Sequence, residues 1–268
     1  MDDFGQHEGI NRAALDLAGR RRVSAVSCLV DGSAWHSGAR VLQHASGVEV
    51  GLHLNFTEDF GQGACHALPG LIARAYARLL DSAQIRAAIE RQFERFERAM
   101  GRLPEFVDGH QHVHQLPVIR DQLIAVMNQR YGSASKPWLR STLPAAACRN
   151  AGLPPSTVRK AQLIGWLGAS SLRGLARRQG YSQNRHLVGV YGFELSEAGY
   201  LQKMKAWLDC ASDGDVLMCH PSLPWRGEDP LQAARNQEYR ALSSEAFSAL
   251  LESAGLEIGP RRSPEASR

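Results

Sequence analysis

From Gln122 to Phe193 the chain carries no aspartate or glutamate. The same stretch holds ten basic residues, from Arg130 through Lys136, Arg140, Arg149, Arg159, Lys160, Arg173, Arg177 and Arg178 to Arg185. The net charge is only +4, so the positive charge is gathered rather than spread. A gathered basic block favours an anionic partner. Cysteine is also scarce. Cys28, Cys65, Cys148, Cys210 and Cys219 are scattered, odd in number and form no CxxC pair. That argues against a zinc ribbon or a disulfide framework and for a reducing compartment. The longest apolar stretch, Ala161 to Leu172, is too short to span a bilayer. The N-terminus has no apolar signal core, and a cytoplasmic protein is expected. Repeats, low-complexity tracts and linkers are absent, which predicts a single domain over 1–259 with a disordered tail over 260–268.

Short β-branched runs alternate with longer helical patterns. The runs at 23–30, 48–54, 105–108, 138–141, 186–191, 215–220 and 256–258 read as strands. Between them, Ile85, Ile89, Phe93 and Phe96 recur at helical spacing before Gly101. Pro117 and Ser196 stand where helices begin, and Gly19, Gly132 and Gly255 where helices end. Alternating strand and helix predicts an α/β fold with mostly parallel strands. No strand is followed by a glycine-rich phosphate loop, so a (β/α) barrel is expected over an open nucleotide-binding sheet.

In such a barrel the working residues lie at the C-terminal ends of strands. Those ends carry His53, the run Asp108-Gly-His110-Gln-His112-Val-His114, Arg140 and His220-Pro221. Residues two apart in an extended chain share a face, which would align His110, His112 and His114. A catalytic metal wants about three protein ligands and an open position. His53, His110 and one carboxylate would supply them. His220 is either a general acid, since imidazole titrates near neutrality, or a residue that shapes the turn before Pro221. Asp2 and Asp3 open the chain. Metal-assisted hydrolysis needs a ligand carboxylate and a separate base, and two adjacent aspartates can divide those roles if the chain turns between them.

Taken together, DDFG at 2–5, GLHLN at 51–55, VDGHQHVHQLP at 107–117, LRS at 139–141, CHPS at 219–222 and ARNQEYRAL at 234–242 resemble the YdjC-like (ChbG/HpnK) family of carbohydrate deacetylases. The resemblance implies a barrel-like fold and metal-dependent removal of N-acetyl groups from amino sugars. It implies one divalent ion, magnesium or zinc, on Asp3, His53 and His110. It implies Asp2 as base and His220 as acid, with Arg140, His112 and His114 near the substrate. Two departures stand out. The apolar strand that precedes DDFG in the family is missing, which predicts a start further upstream or poorly anchored carboxylates. The basic segment 142–185 matches poorly; it reads as one helix over 158–178, serving as a lid or resting on an anionic membrane at the inner surface. Other expected partners are the N-acetylated sugar and a second copy of the chain, not nucleic acid. Two other classes fit the same residues. One is a different metal-dependent barrel hydrolase of amidohydrolase or phosphoesterase type. The other is a non-catalytic protein that binds anionic surfaces.

Overall fold

The computed structural model describes residues 1–61, 66–132, 136–193 and 196–260. The expected tail therefore lies outside the described residues from 261 onward. Among the described residues six strands run β1 (Ala25–Cys28), β2 (Glu49–Leu54), β3 (Phe106–Gly109), β4 (Trp138–Leu139), β5 (Leu187–Val188) and β6 (Val216–Leu217). All are parallel, in the order β1-β2-β3-β4 and β5-β6. Parallel pairing needs crossovers, and helices supply most of them: α1 (Glu8–Gly19), α2 (Trp35–Leu42), α3 (Leu68–Tyr76), α4 (Ser82–Met100), α5 (Ile119–Tyr131), α6 (Pro155–Trp166), α7 (Ala169–Arg178) and α8 (Glu197–Cys210). Two more, α9 (Gln232–Ser243) and α10 (Glu245–Ser253), follow the last strand.

The two sheets join into one ring. Leu139 donates to the Ser182 carbonyl at 2.9 Å, and Leu187 to the Leu143 carbonyl at 2.8 Å. On the far side the chain's first residues fill the gap. The Met1 ammonium donates to the Ala25 carbonyl at 2.9 Å. Ser27 N–H donates to the Met1 carbonyl, Phe4 N–H to Ser27 and Leu29 N–H to Phe4, while Asp2 N–H reaches the Cys219 carbonyl at 2.9 Å. Residues 1–4 thus serve as a short strand between β6 and β1. The aspartates are held on both sides and are 2% and 1% exposed, so the expectation of poor anchoring is corrected. The expected strand at 256–258 is irregular chain; its place in the ring is taken by residues 1–4.

Helix α4 shows how the sequence builds the outer layer. Its Ile85, Ile89, Phe93, Phe96 and Met100 are buried, Asp81 caps the N–H groups of Ala83 and Gln84, and Gly101 ends it at φ 65°. Burying each such side chain contributes about 1.5–3 kcal/mol. The expected single helix over 158–178 is instead two. Gly168 breaks it at φ 128°, and a Cβ there would lie 2.3 Å from the Gln115 carbonyl oxygen. Cys148 and Cys210 form a disulfide that ties the turn before α6 to α8. The cysteine spacing gave no sign of this pairing, and the inference of a reducing compartment loses its support.

Candidate metal and acid–base site

Every predicted ligand lies at one end of the ring. Asp3 has φ 71°, a left-handed conformation costly for a residue with a Cβ. Gly5 follows at φ 97°, where a Cβ would meet the Leu29 carbonyl at 2.6 Å. This sharp turn sends Asp2 and Asp3 to different partners. The Asp3 Oδ1 oxygen lies 2.9 Å from His110 Nδ1 and 3.4 Å from His53 Nε2. Its Oδ2 pairs with the Arg235 guanidinium at 2.8 Å. Asp2 receives both Arg140 Nη groups, at 2.6 and 2.7 Å.

The donor atoms of Asp3, His53 and His110 lie within 4.8 Å of one another, as do those of Asp2, His53 and Asp108. The two groups differ in what already neutralises them. Arg140 bridges Asp2 and Asp108, with its Nη2 2.6 Å from Asp108, so a cation there would face a buried guanidinium. Asp3, His53 and His110 offer one oxygen and two imidazole nitrogens, a donor set suited to a divalent metal. His53 also has the support expected of a ligand. Its Nδ1 faces Asp108 Oδ1 at 2.6 Å, and the Ser27 hydroxyl donates to the same oxygen at 2.5 Å. The residues present therefore fit a metal at the first group.

Burial would raise the carboxyls of Asp2 and Asp3. Arg140 and His53 overcome it at Asp2, Arg235 and His110 at Asp3, and both lie well below the usual range. Asp108 is likewise lowered against its burial by Arg140 and His53. Burial lowers His53, but Asp108, Asp2 and Asp3 push its pKa up to about 10. His110 is raised by Asp3 and Glu58 against its own burial.

His110, His112 and His114 do not share a face. The chain leaves β3 into a tight turn over His110–Gln115 with Gln111 and His112 at φ 51° and 63°. His110 keeps the site and also meets Glu58 at 3.4 Å. His112 is half-buried, and its buried Nδ1 has no hydrogen-bond partner. Burial, His114 and Arg140 bring its pKa down to about 3, so it is neutral. His114 is fully buried with Nε2 2.9 Å from the Arg140 carbonyl. Arg140 is 2% exposed and spent on carboxylates. Both were expected either at the substrate or behind the site's own residues; here they lie behind Asp2, Asp108 and the His110 turn. His220 stands opposite, with Nε2 3.9 Å from Asp2 Oδ2.

Sequence reasoning missed several residues. Ser27 was visible as a polar residue in an apolar run, and Arg235 and Glu238 lie in the ARNQEYRAL stretch without having been given roles. Glu58 left no signal; an Asn55 turn presents it, with Asn55 Oδ1 accepting from the N–H groups of Thr57 and Glu58.

Fold and site together define a parallel α/β barrel with a buried carboxylate–imidazole centre at the C-terminal ends of its strands. The chain belongs to the YdjC-like protein family, whose model matches residues 1–253. It is 27% identical over 229 residues to a chitooligosaccharide deacetylase of Serratia marcescens, covering 82% of this chain and 79% of that one. It is 28% identical over 232 residues to one of Yersinia pestis, with the same coverage. Among solved structures it resembles an Enterococcus faecalis protein described as a candidate for cellobiose-phosphate cleavage, at TM-score 0.64 and 15% identity, over 97% of this chain and 95% of that one. A peptidoglycan N-acetylglucosamine deacetylase matches at TM-score 0.53 and 11% identity, over 96% and 82%. These two likenesses bear on the fold.

Proposed function

We propose that this protein is a metal-dependent hydrolase that removes the N-acetyl group from an amino sugar or acetylated glycan and releases acetate. One observation carries the reading. A three-donor group of Asp3, His53 and His110 lies beside a carboxylate, Asp2, and an imidazole, His220, that face each other at 3.9 Å. Amide hydrolysis needs this division into ligands, base and acid. The names of the family relatives supply the substrate class.

Asp3, His53 and His110 would hold zinc or magnesium, which when bound polarises a carbonyl and acidifies water. Asp2 accepts the proton of the attacking water. Arg140 fixes both its oxygens and keeps it ionised, so that it can accept. His220 protonates the departing nitrogen through Nε2, so that the amine leaves neutral. His112 is neutral with an unpartnered Nδ1, which supports a role as a hydrogen-bond acceptor near the substrate. Arg140 and His114 act through the groups they hold.

The test is acetate release from a panel of N-acetylated sugars with added metals, comparing wild type with Asp3→Ala and His110→Ala. Equal activity in all three overturns the site. A phosphomonoester hydrolysed where no acetamide is would favour the phosphoesterase alternative.

A second reading concerns where the protein works. On α6, Arg159, Leu163 and Trp166 form one exposed stripe, with Trp166 78% and Leu163 56% exposed. Basic and apolar groups on one helix face suit an anionic membrane surface. No helix among the described residues is long and apolar enough to cross a membrane. Sedimentation with vesicles that shows no preference for anionic lipid would remove this reading.

A further inference from the structure

The base and the metal ligands all have charged partners behind them: Arg140 behind Asp2, Asp108 behind His53, Arg235 behind Asp3 and Glu58 behind His110. The acid needs one too. An imidazole that delivers a proton from Nε2 works best when Nδ1–H is held by a carboxylate, which fixes the tautomer and stabilises the cation. We infer that Glu238 is that carboxylate, a positioning residue for His220.

Glu238 lies on α9, one turn after Arg235, and is fully buried. A buried carboxylate is costly unless surrounded by donors. Its Oε1 accepts from the Tyr191 hydroxyl at 2.5 Å, and its Oε2 accepts from the His220 backbone N–H at 2.5 Å and the Tyr200 hydroxyl at 3.4 Å. All three donate to the carboxylate, and the His220 backbone N–H can only donate, so Oε2 must be an acceptor.

The same oxygen that Tyr191 meets lies 3.8 Å from His220 Nδ1. That nitrogen is buried and has no hydrogen-bond partner. Closing the gap by about 1 Å makes the bond, and such contacts commonly tighten only when substrate binds. The backbone bond from His220 N–H to Glu238 already fixes the direction of approach. The other groups facing His220 are Asp2, the Phe193 ring at 5.1 Å and Arg235, whose Nη1 donates to the His220 carbonyl at 3.3 Å. His112 bears on it electrostatically but is neutral. Of these groups, Glu238 alone can accept from Nδ1 while Nε2 points at the substrate.

In the step concerned, the C–N bond breaks and its electron pair stays on nitrogen. The proton on His220 Nε2 moves to that nitrogen. His220 is left neutral with its remaining proton on Nδ1, facing Glu238. The inference rests on the deacetylase reading, so its test includes an arm that needs no activity.

Nitrogen-15 spectra of the histidine side chains in the wild type, followed to a pH where the His220 ring has lost one proton, should show the remaining proton on Nδ1, and Glu238→Gln should abolish that preference. A wild-type His220 protonated on Nε2 alone overturns the inference, whether or not any substrate is found. In the kinetic arm, Glu238→Gln should lower kcat on an N-acetylated chitooligosaccharide about 10- to 100-fold with KM little changed. The loss on 4-nitrophenyl acetate should be much smaller, because that leaving group needs no proton. Glu238→Asp should recover part of the difference. Equal losses on amide and ester would mark Glu238 as structural only and overturn the inference. So would an added loss when Glu238→Gln is placed in a His220→Ala background. If the wild type releases no acetate from any amide, the deacetylase reading fails and the spectra still decide the pairing.

Discussion

Asp3 spends two oxygens on three cationic or proton-bearing partners, His53, His110 and Arg235. Its substitution should separate metal binding from folding. Asp3→Asn is expected to lose stoichiometric metal by elemental analysis and to lower acetate release at least about 100-fold, with an unchanged circular dichroism spectrum. Metal uptake should also be linked to protons. His53 has its pKa raised to about 10, so without metal it carries a proton at neutral pH and must shed it to ligate. Loading zinc at pH 7 should therefore release at least about one proton, read by calorimetry in buffers of different ionisation heat. Affinity should rise with pH until His53 has lost its proton. Arg140 belongs to stability as much as to chemistry. Replacing it with methionine strips Asp2 of its ion pair and Asp108 of one of its partners, a loss of about 3–5 kcal/mol in urea unfolding. At this scale the sequence was legible where residue type and strand end coincide, at His53 and His110; Asp2 and Asp3 were legible only through the DDFG resemblance. It misled at His112 and His114, because alternation assumes extended chain and two residues of that turn are left-handed.

Elements decide how firmly those residues are held. Helix α4 reaches into the site through Gln92. Its side-chain carbonyl accepts from Asn55 N–H at 2.8 Å, and its amide donates to the Asn55 carbonyl at 3.0 Å. That clasp fixes the loop that follows β2 and carries Glu58. Gln92→Ala removes both buried bonds and should cost about 1–3 kcal/mol in thermal unfolding, with weaker metal binding as His110 loses its outer partner. The break at Gly168 was not legible. Helical spacing of apolar residues continues through it, and only the close approach of the Gln115 carbonyl requires the glycine. Strands were legible where apolar runs were long. The run at 256–258 failed because it follows α10 with no place in the ring left to fill.

On the scale of the whole molecule, three carboxyls with lowered pKa values sit at the centre of the barrel. Their ordinary value is 3.8. Each contributes stability that is fully present above that value and is lost as pH falls through its lowered one. His112 and His114, whose pKa values are lowered from 6.5 to about 3 and about 4, add a loss that begins as pH falls below about 6.5. The melting temperature should start to drop there and fall steeply below about pH 4. Denaturation scans across pH check this, and a flat profile to pH 2 would contradict it. The barrel class could be read from the alternation of strand and helix. Its closure could not, because four residues are too few to show a strand period.

That closure sets an order of events. Asp2 pairs across the seam with Cys219, more than two hundred residues further along the chain. Asp2 and Asp3 therefore lack that side's support until β6 exists. Contacts so distant in sequence form late and slowly. A chain that ends before β6 leaves the seam at Asp2 open, and the backbone of the two aspartates is then held from the β1 side alone.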